Sequence, residues 1–311
     1  MNKINTSKFR HLYPFKSHYR TIGGFKYHYV DEGCGPPVVM LHGNPTWSFY
    51  FRNLIKGLSP DFRAIAPDHI GCGLSEKPHP RAYEYRLKNR IEDLEQFLNS
   101  LELSQKVTLV LHDWGGVIGM AWAVRHPQKV GRLIITNTAA FPIPKGKNLP
   151  VSLKIIRNFK GFATIAVLGF NLFVRGALLL NSYKSLPKDV KAGLRAPYNS
   201  WHNRIATLRF VQDIPIKTHD PSYTIVSDLD QNLYKLKQIP MLICWGKHDF
   251  VFTLDYLAEW RRRFPHAESH IFSDAGHYVL EDVPEKVISL VKAALESDFS
   301  QQFSGKDERD Q

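Results

Sequence analysis

The stretch that most constrains this chain is VTLVLHDWGGVIG at residues 107–119, where an apolar run breaks at one carboxylate and resumes with helical spacing. That pattern reads as a buried strand, a sharp turn and a helix. Such a turn lifts the residue at its tip out of the sheet and above the N-terminus of the next helix. The tip residue here is Asp113, and Gly115, Gly116 and Gly119 allow the helix to pack closely behind it. Backbone N–H groups and the positive end of the helix are expected to keep the Asp113 carboxylate ionised and aimed outward.

The rest of the chain supplies a sheet around that turn. Residues 19–31 alternate polar and apolar side chains about Gly23-Gly24, the pattern of a β-hairpin, placed at an antiparallel sheet edge. Further strand signals at 37–42, 63–67, 132–136, 241–245 and 269–272 alternate with helical patterns, as βαβ units do. The clearest helices are 85–101, with Leu87, Ile91, Leu94 and Leu98 on one face, 254–264, and a closing helix at 284–295. The expected fold is α/β, a mostly parallel eight-stranded sheet with helices on both faces. From 141 to about 236 the alternation stops, and helical stretches at 151–180, 188–194 and 201–211 read as an inserted helical cap. The core domain is therefore 1–140 with 237–311, the cap 141–236, and the polar residues 297–311 a mobile tail.

With 311 residues, 43% of them hydrophobic, the chain can bury a large core. Its three cysteines, Cys34, Cys72 and Cys244, are odd in number and widely spaced, which fits neither a disulfide framework nor a zinc site. The first twenty residues lack the apolar core of a secretory signal, so a cytoplasmic location is expected. Net charge is +12, and residues 142–220 hold 13 Lys or Arg against 3 Asp. No nucleic-acid motif accompanies this excess, which leaves a solvated face or peripheral contact with an anionic membrane surface. Within it, GFATIAVLGFNLFV at 161–174 lies between Lys160 and Arg175. It is shorter than the roughly 20 residues of a spanning helix. It fits the buried face of a cap helix, a wall for alkyl chains, or a surface that docks on lipid.

Ligands in parallel α/β sheets bind beyond the carboxyl ends of the strands. Asn44, Asp113, Asp249 and His277 all follow predicted strands. Taken singly, an Asp in that position is often a helix cap and a His a satisfied core residue. Together, in the order nucleophile, acid, histidine, they form a catalytic set. Asp113 is charged at neutral pH and needs no base to attack an electrophilic carbon and form an ester. His277 would stand above it as base or acid, with Asp249 orienting the imidazole. Asn44 and Trp114 carry N–H donors beside Asp113, a place for a departing anion, although Asn44 could instead cap the next helix and Trp114 could pack in the core.

His42-Gly43-Asn44-Pro45, His112-Asp113-Trp114-Gly115-Gly116, Gly246-Lys247-His248-Asp249 and Gly276-His277 resemble the haloalkane dehalogenase group of the α/β-hydrolases. The resemblance implies the α/β-hydrolase fold, an Asp113 nucleophile with the Asp249–His277 pair, Asn44 and Trp114 as anion holders, and neither cofactor nor metal. The blocks HGNPTWSFYFRNL, APDHIGCGLSEKP, APYNSWHNRIATLRFVQDIP, MLICWGKHDFVF and AEWRRRFPHAE are further similar to the β-lactone decarboxylases of bacterial long-chain olefin biosynthesis. That similarity implies conversion of a cis-3,4-dialkyl-β-lactone (an oxetan-2-one) to a cis-alkene and CO2. It also implies a hydrophobic substrate with long alkyl chains and assembly with the pathway's β-lactone synthetase. The alternatives are haloalkane dehalogenase and then epoxide hydrolase, the latter with Tyr183, Tyr198 or Tyr223 polarising an epoxide.

Overall fold

The computed structural model describes residue 4 and residues 6–304, with side chains through residue 296. Gly23 and Gly24 turn the first hairpin with φ of 56° and 84°, both positive as a two-residue type I′ turn requires. They pair β1 (His18–Ile22) with β2 (Phe25–Glu32), which joins β4 (Arg63–Pro67) antiparallel. The parallel part adds β3 (Pro37–Leu41), β5 (Val107–Asp113), β6 (Val130–Thr138), β7 (Met241–Gly246) and β8 (Glu268–Phe272). Strand order is β1-β2-β4-β3-β5-β6-β7-β8, the eight-stranded, mostly parallel sheet that the sequence implies. Period-two alternation sends Leu109 and Leu111 to one apolar cluster with Phe97 and Trp260. Val110 faces the other, with Met40 and Val287. Both faces of the central strands are therefore covered, which is why they read as continuous apolar runs.

Helices α1 (Arg52–Leu58), α2 (Leu87–Ser100) and α3 (Trp114–Arg125) precede β6. Helix α2 starts two residues later than its apolar spacing implies. Tyr85 has φ of 59°, and the Asp213 carboxylate, 126 positions downstream, accepts the Leu87 N–H at 2.7 Å.

Between β6 and β7 the described residues form no strand. The expected helix at 151–180 is broken into α4 (Val151–Asn158), α5 (Lys160–Ala163), a π-helical turn (Thr164–Gly169) and α6 (Leu172–Leu180). Asn171 makes the sharpest break, in the left-handed region at φ 56°, with its amide donating to the Tyr198 carbonyl at 3.2 Å. Helices α7 (Lys188–Arg195) and α8 (Ile205–Gln212) lie close to their expected places. Helix α9 (Tyr223–Asn232) was not expected, because it buries only Val226 and Leu229 and leaves almost no periodic signal. After β7 come α10 (Leu254–Arg263), α11 (Val279–Asp282) and α12 (Pro284–Ser304). Helix α12 outruns the expected 284–295, and the rest of the expected tail lies outside the described residues.

Candidate active site

Asp113 is the last residue of β5 and the residue before α3, with φ 51° and ψ −125°. A non-glycine residue holds such a conformation only when its surroundings impose it. The Thr138 hydroxyl donates to the Asp113 carbonyl from the end of β6. In front, Gly43 is obligatory, since a Cβ there would stand 1.9 Å from Asp113 Oδ1. Behind, a Cβ at Gly115 would meet the Leu41 carbonyl oxygen at 2.0 Å. The Asn44 backbone N–H donates to Asp113 Oδ1 at 2.6 Å, and the Trp114 backbone N–H also bonds the carboxylate.

The loops after β7 and β8 bring Asp249 and His277 to the same point. His277 Nδ1 lies 2.7 Å from Asp249 Oδ2, and His277 Nε2 lies 3.7 Å from Asp113 Oδ2. All three side chains are buried. Burial pushes the Asp113 carboxyl up, against the opposing pull of His277 and the two N–H groups. Desolvation thus opposes the ionised form that the backbone N–H groups and the positive end of the helix favour. For His277, burial opposes the charged ring, yet Asp249 and, less strongly, Asp113 overcome it and raise its pKa.

Asn137, near the end of β6, is a site residue that sequence reasoning missed. Its amide donates to Asp249 Oδ2 at 3.0 Å and to the Gly246 carbonyl at 3.1 Å, while its own oxygen accepts the Gly246 N–H at 2.8 Å. The remaining oxygen of Asp249 accepts from Val251 and Phe252 N–H at 2.7 and 3.0 Å. The only hint in the sequence is the polar interruption Thr136-Asn137-Thr138 at the end of an apolar strand. Replacing Asn137 by Ala frees Asp249 Oδ2 and weakens its hold on the imidazole. NMR titration is expected to show a lower His277 pKa than in wild type, and an unchanged titration would remove Asn137 from this role.

Two neighbouring histidines, His42 and His112, hold loops in place. His42 Nδ1–H donates to the Gly43 carbonyl at 2.8 Å and its Nε2 accepts the His69 N–H at 3.0 Å, which defines a neutral tautomer. Burial lowers the pKa of His42, consistent with that form. His112 Nε2–H donates to the His277 carbonyl at 2.9 Å and fixes the backbone beneath the imidazole.

Asn44 does not cap the following helix. Its Nδ2 donates to the Thr207 carbonyl at 2.9 Å, leaving a second amide hydrogen. Trp114 is half-buried against Phe210, with ring centroids 5.2 Å apart, and no acceptor for its indole N–H is found among the described residues. Both side chains line a cavity of about 230 Å³ that has Asp113 and His277 in its wall. Apolar groups from 141–236, including Leu153, Phe173 and Val226, complete the enclosure. The tyrosines weighed for epoxide activation lie elsewhere. Tyr183 stacks on His248 at 4.5 Å, Tyr198 donates to the Thr46 carbonyl at 3.2 Å, and neither they nor Tyr223 line the cavity. Among the described residues no cluster of three or more His, Cys, Asp or Glu is placed to hold a metal ion.

A strained acid on a strand-to-helix turn, a histidine within reach and an acid behind it, all at the carboxyl ends of a mostly parallel sheet, define an α/β-hydrolase. The chain belongs to the alpha/beta hydrolase fold family, whose profile matches residues 36–284. It is 51% identical over 282 residues to the cis-3-alkyl-4-alkyloxetan-2-one decarboxylase of Shewanella oneidensis, covering 90% of this chain and 88% of that protein. Identity to the Xanthomonas campestris protein of the same name is 43%, covering 88% and 93%. Among solved structures, the haloalkane dehalogenase DatA of Agrobacterium tumefaciens superposes with a TM-score of 0.81 at 27% identity, covering 91% of this chain and 96% of that one.

Proposed function

We propose that this chain is a β-lactone decarboxylase, converting cis-3,4-dialkyl-oxetan-2-ones to cis-alkenes and CO2. The observation that carries this is the buried Asp113–His277–Asp249 array in the wall of an apolar cavity, in a chain half identical to a protein of that name. Asp113 attacks ring carbon C4, the C4–O bond breaks, and the ring oxygen leaves as part of a carboxylate on C3. Burial has stripped water from the Asp113 carboxylate, which sharpens it as a nucleophile once ionised. The second hydrogen of Asn44 Nδ2 and the Trp114 indole N–H take the new carboxylate. The C2–C3 bond then breaks to release CO2, its electrons form the alkene, and the C4–O bond to Asp113 returns to the enzyme as carboxylate. Inversion at C4 followed by anti loss gives the cis-alkene from the cis-lactone. No proton is consumed or released, and His277, whose charged form Asp249 favours, faces the aspartate as it regains its charge.

In this reading 141–236 is a cap over the catalytic core of 1–140 and 237–311. The reaction serves long-chain olefin biosynthesis in the cytoplasm, with the lactone supplied by an associated β-lactone synthetase. The test is incubation of purified protein with a synthetic cis-β-lactone bearing two long alkyl chains, read by gas chromatography. Cis-alkene well above spontaneous loss is expected. No excess alkene, with rapid halide release from a bromoalkane, would make the chain a dehalogenase instead.

A further inference from the structure

The cavity opens onto an apolar face rather than a polar one. Helix α6 turns Val174, Ala177 and Leu178 inward and Leu172, Arg175 and Leu179 outward, the latter at helical spacing of three and four. The preceding stretch has the same two-sided character. Phe159, Phe162 and Ile165 are exposed at intervals of three, while Ala163, Val167 and Leu168 pack with Leu208 on the inner side. The two segments, Lys160–Gly169 and Leu172–Leu180, meet at 74°, with Phe170 at the corner. Phe162 is 59% exposed and Phe170 64%. Leu172 and Leu180, 50% and 65% exposed, also line the cavity, so this face forms part of its exposed rim, with Ser152 and Phe250.

Contiguous exposed apolar surface of this kind marks an interaction site. Its charge selects the partner. Lys160 and Arg175 are exposed beside the apolar residues, and residues 142–220 hold 13 Lys or Arg against 3 Asp. A second copy would set this positive field against itself, whereas anionic lipid complements it. Neither segment alone is long enough to span a bilayer, and among the described residues no single helix is both long and apolar enough. An apolar row with basic residues beside it suits a helix lying in the plane of the interface.

We propose that this bent face lies on an anionic lipid bilayer and that the cavity takes its substrate from the acyl-chain boundary. The reason for a mouth at that place rests on the long-chain substrate proposed above, but the lipid contact does not. The test is co-sedimentation of the full chain with vesicles of phosphatidylcholine alone or with about one-third phosphatidylserine, at low and high salt. Binding to the anionic vesicles is expected, weakening with salt, and the double variant Phe162→Ser, Phe170→Ser is expected to bind about tenfold less. Both positions are exposed, and an unchanged circular dichroism spectrum confirms that the variant folds. Alkene formation from a short-chain, water-soluble cis-β-lactone should be the same in variant and wild type. Failure to pellet with anionic vesicles at either salt overturns the proposal, as does equal binding by the double variant. A dimer lost in the double variant, without vesicle binding, assigns the face to self-association and overturns it too. Vesicle binding without lactone turnover overturns the proposed function and leaves the lipid contact standing.

Discussion

Asp113→Ala should lower lactone turnover by about four orders of magnitude or more, the scale on which loss of a covalent nucleophile removes catalysis. Among the described residues no other carboxylate stands where Asp113 meets both the Asn44 and Trp114 N–H groups, and Asp249 is occupied by His277, Asn137 and two backbone donors. Asp113→Asn should lose as much, since an amide is a poor nucleophile of nearly the same shape. Neither change should unfold the protein. Burial already works against the Asp113 charge, so a neutral residue there relieves a cost, and thermal midpoints equal to or above wild type are expected. Alkene yield under single-turnover conditions, beside thermal melts of the same samples, checks both halves. Activity within tenfold of wild type would take Asp113 out of the proposed cycle.

The same acid shows what a sequence can and cannot convey. Its place was legible because an apolar strand, one carboxylate and a glycine-rich helix start lie within 13 consecutive residues. The sheet was legible for a similar reason, its strands being short apolar runs whose periodicity is local. Interactions that join distant positions left little trace. Asp213 sets the start of α2 from 126 residues away, and Asn137 steadies Asp249 across 112. Neither has a local pattern to announce it. The segment 151–180 was misread for the opposite reason. Its composition favours helix throughout, and only the left-handed turn at Asn171, held by the Tyr198 carbonyl, shows where the chain changes direction. Donors near Asp113 can be counted from a motif, whereas the desolvation that raises its pKa depends on everything packed around it.

His277→Gln separates the two chemistries this site can perform. In a hydrolytic cycle the histidine takes a proton from the water that attacks the aspartyl ester, so its loss stops turnover after one event and traps the ester on Asp113. In the decarboxylation proposed above, no water enters and the ester collapses by expelling CO2. His277→Gln should then slow alkene formation by roughly two to three orders of magnitude, through loss of the cation beside Asp113, without accumulation of ester. Mass spectrometry of the peptide containing Asp113 reads this directly. Turnover of wild type in H2(18)O gives a second view of the same bond. Hydrolysis breaks the bond between the aspartyl carbon and oxygen and leaves label in the Asp113 carboxyl, whereas decarboxylation breaks the bond between substrate carbon and oxygen and leaves it unlabelled. The Asp249 contact, 2.7 Å from His277 Nδ1, favours the charged ring over the neutral base that hydrolysis requires. Part of that preference comes from Asp113 itself and disappears when Asp113 is esterified, so the ring is most able to act as a base at the stage where the ester exists. An enzyme that decarboxylates faithfully must therefore lose CO2 faster than water can reach the ester, and an unlabelled Asp113 after many turnovers would measure that advantage.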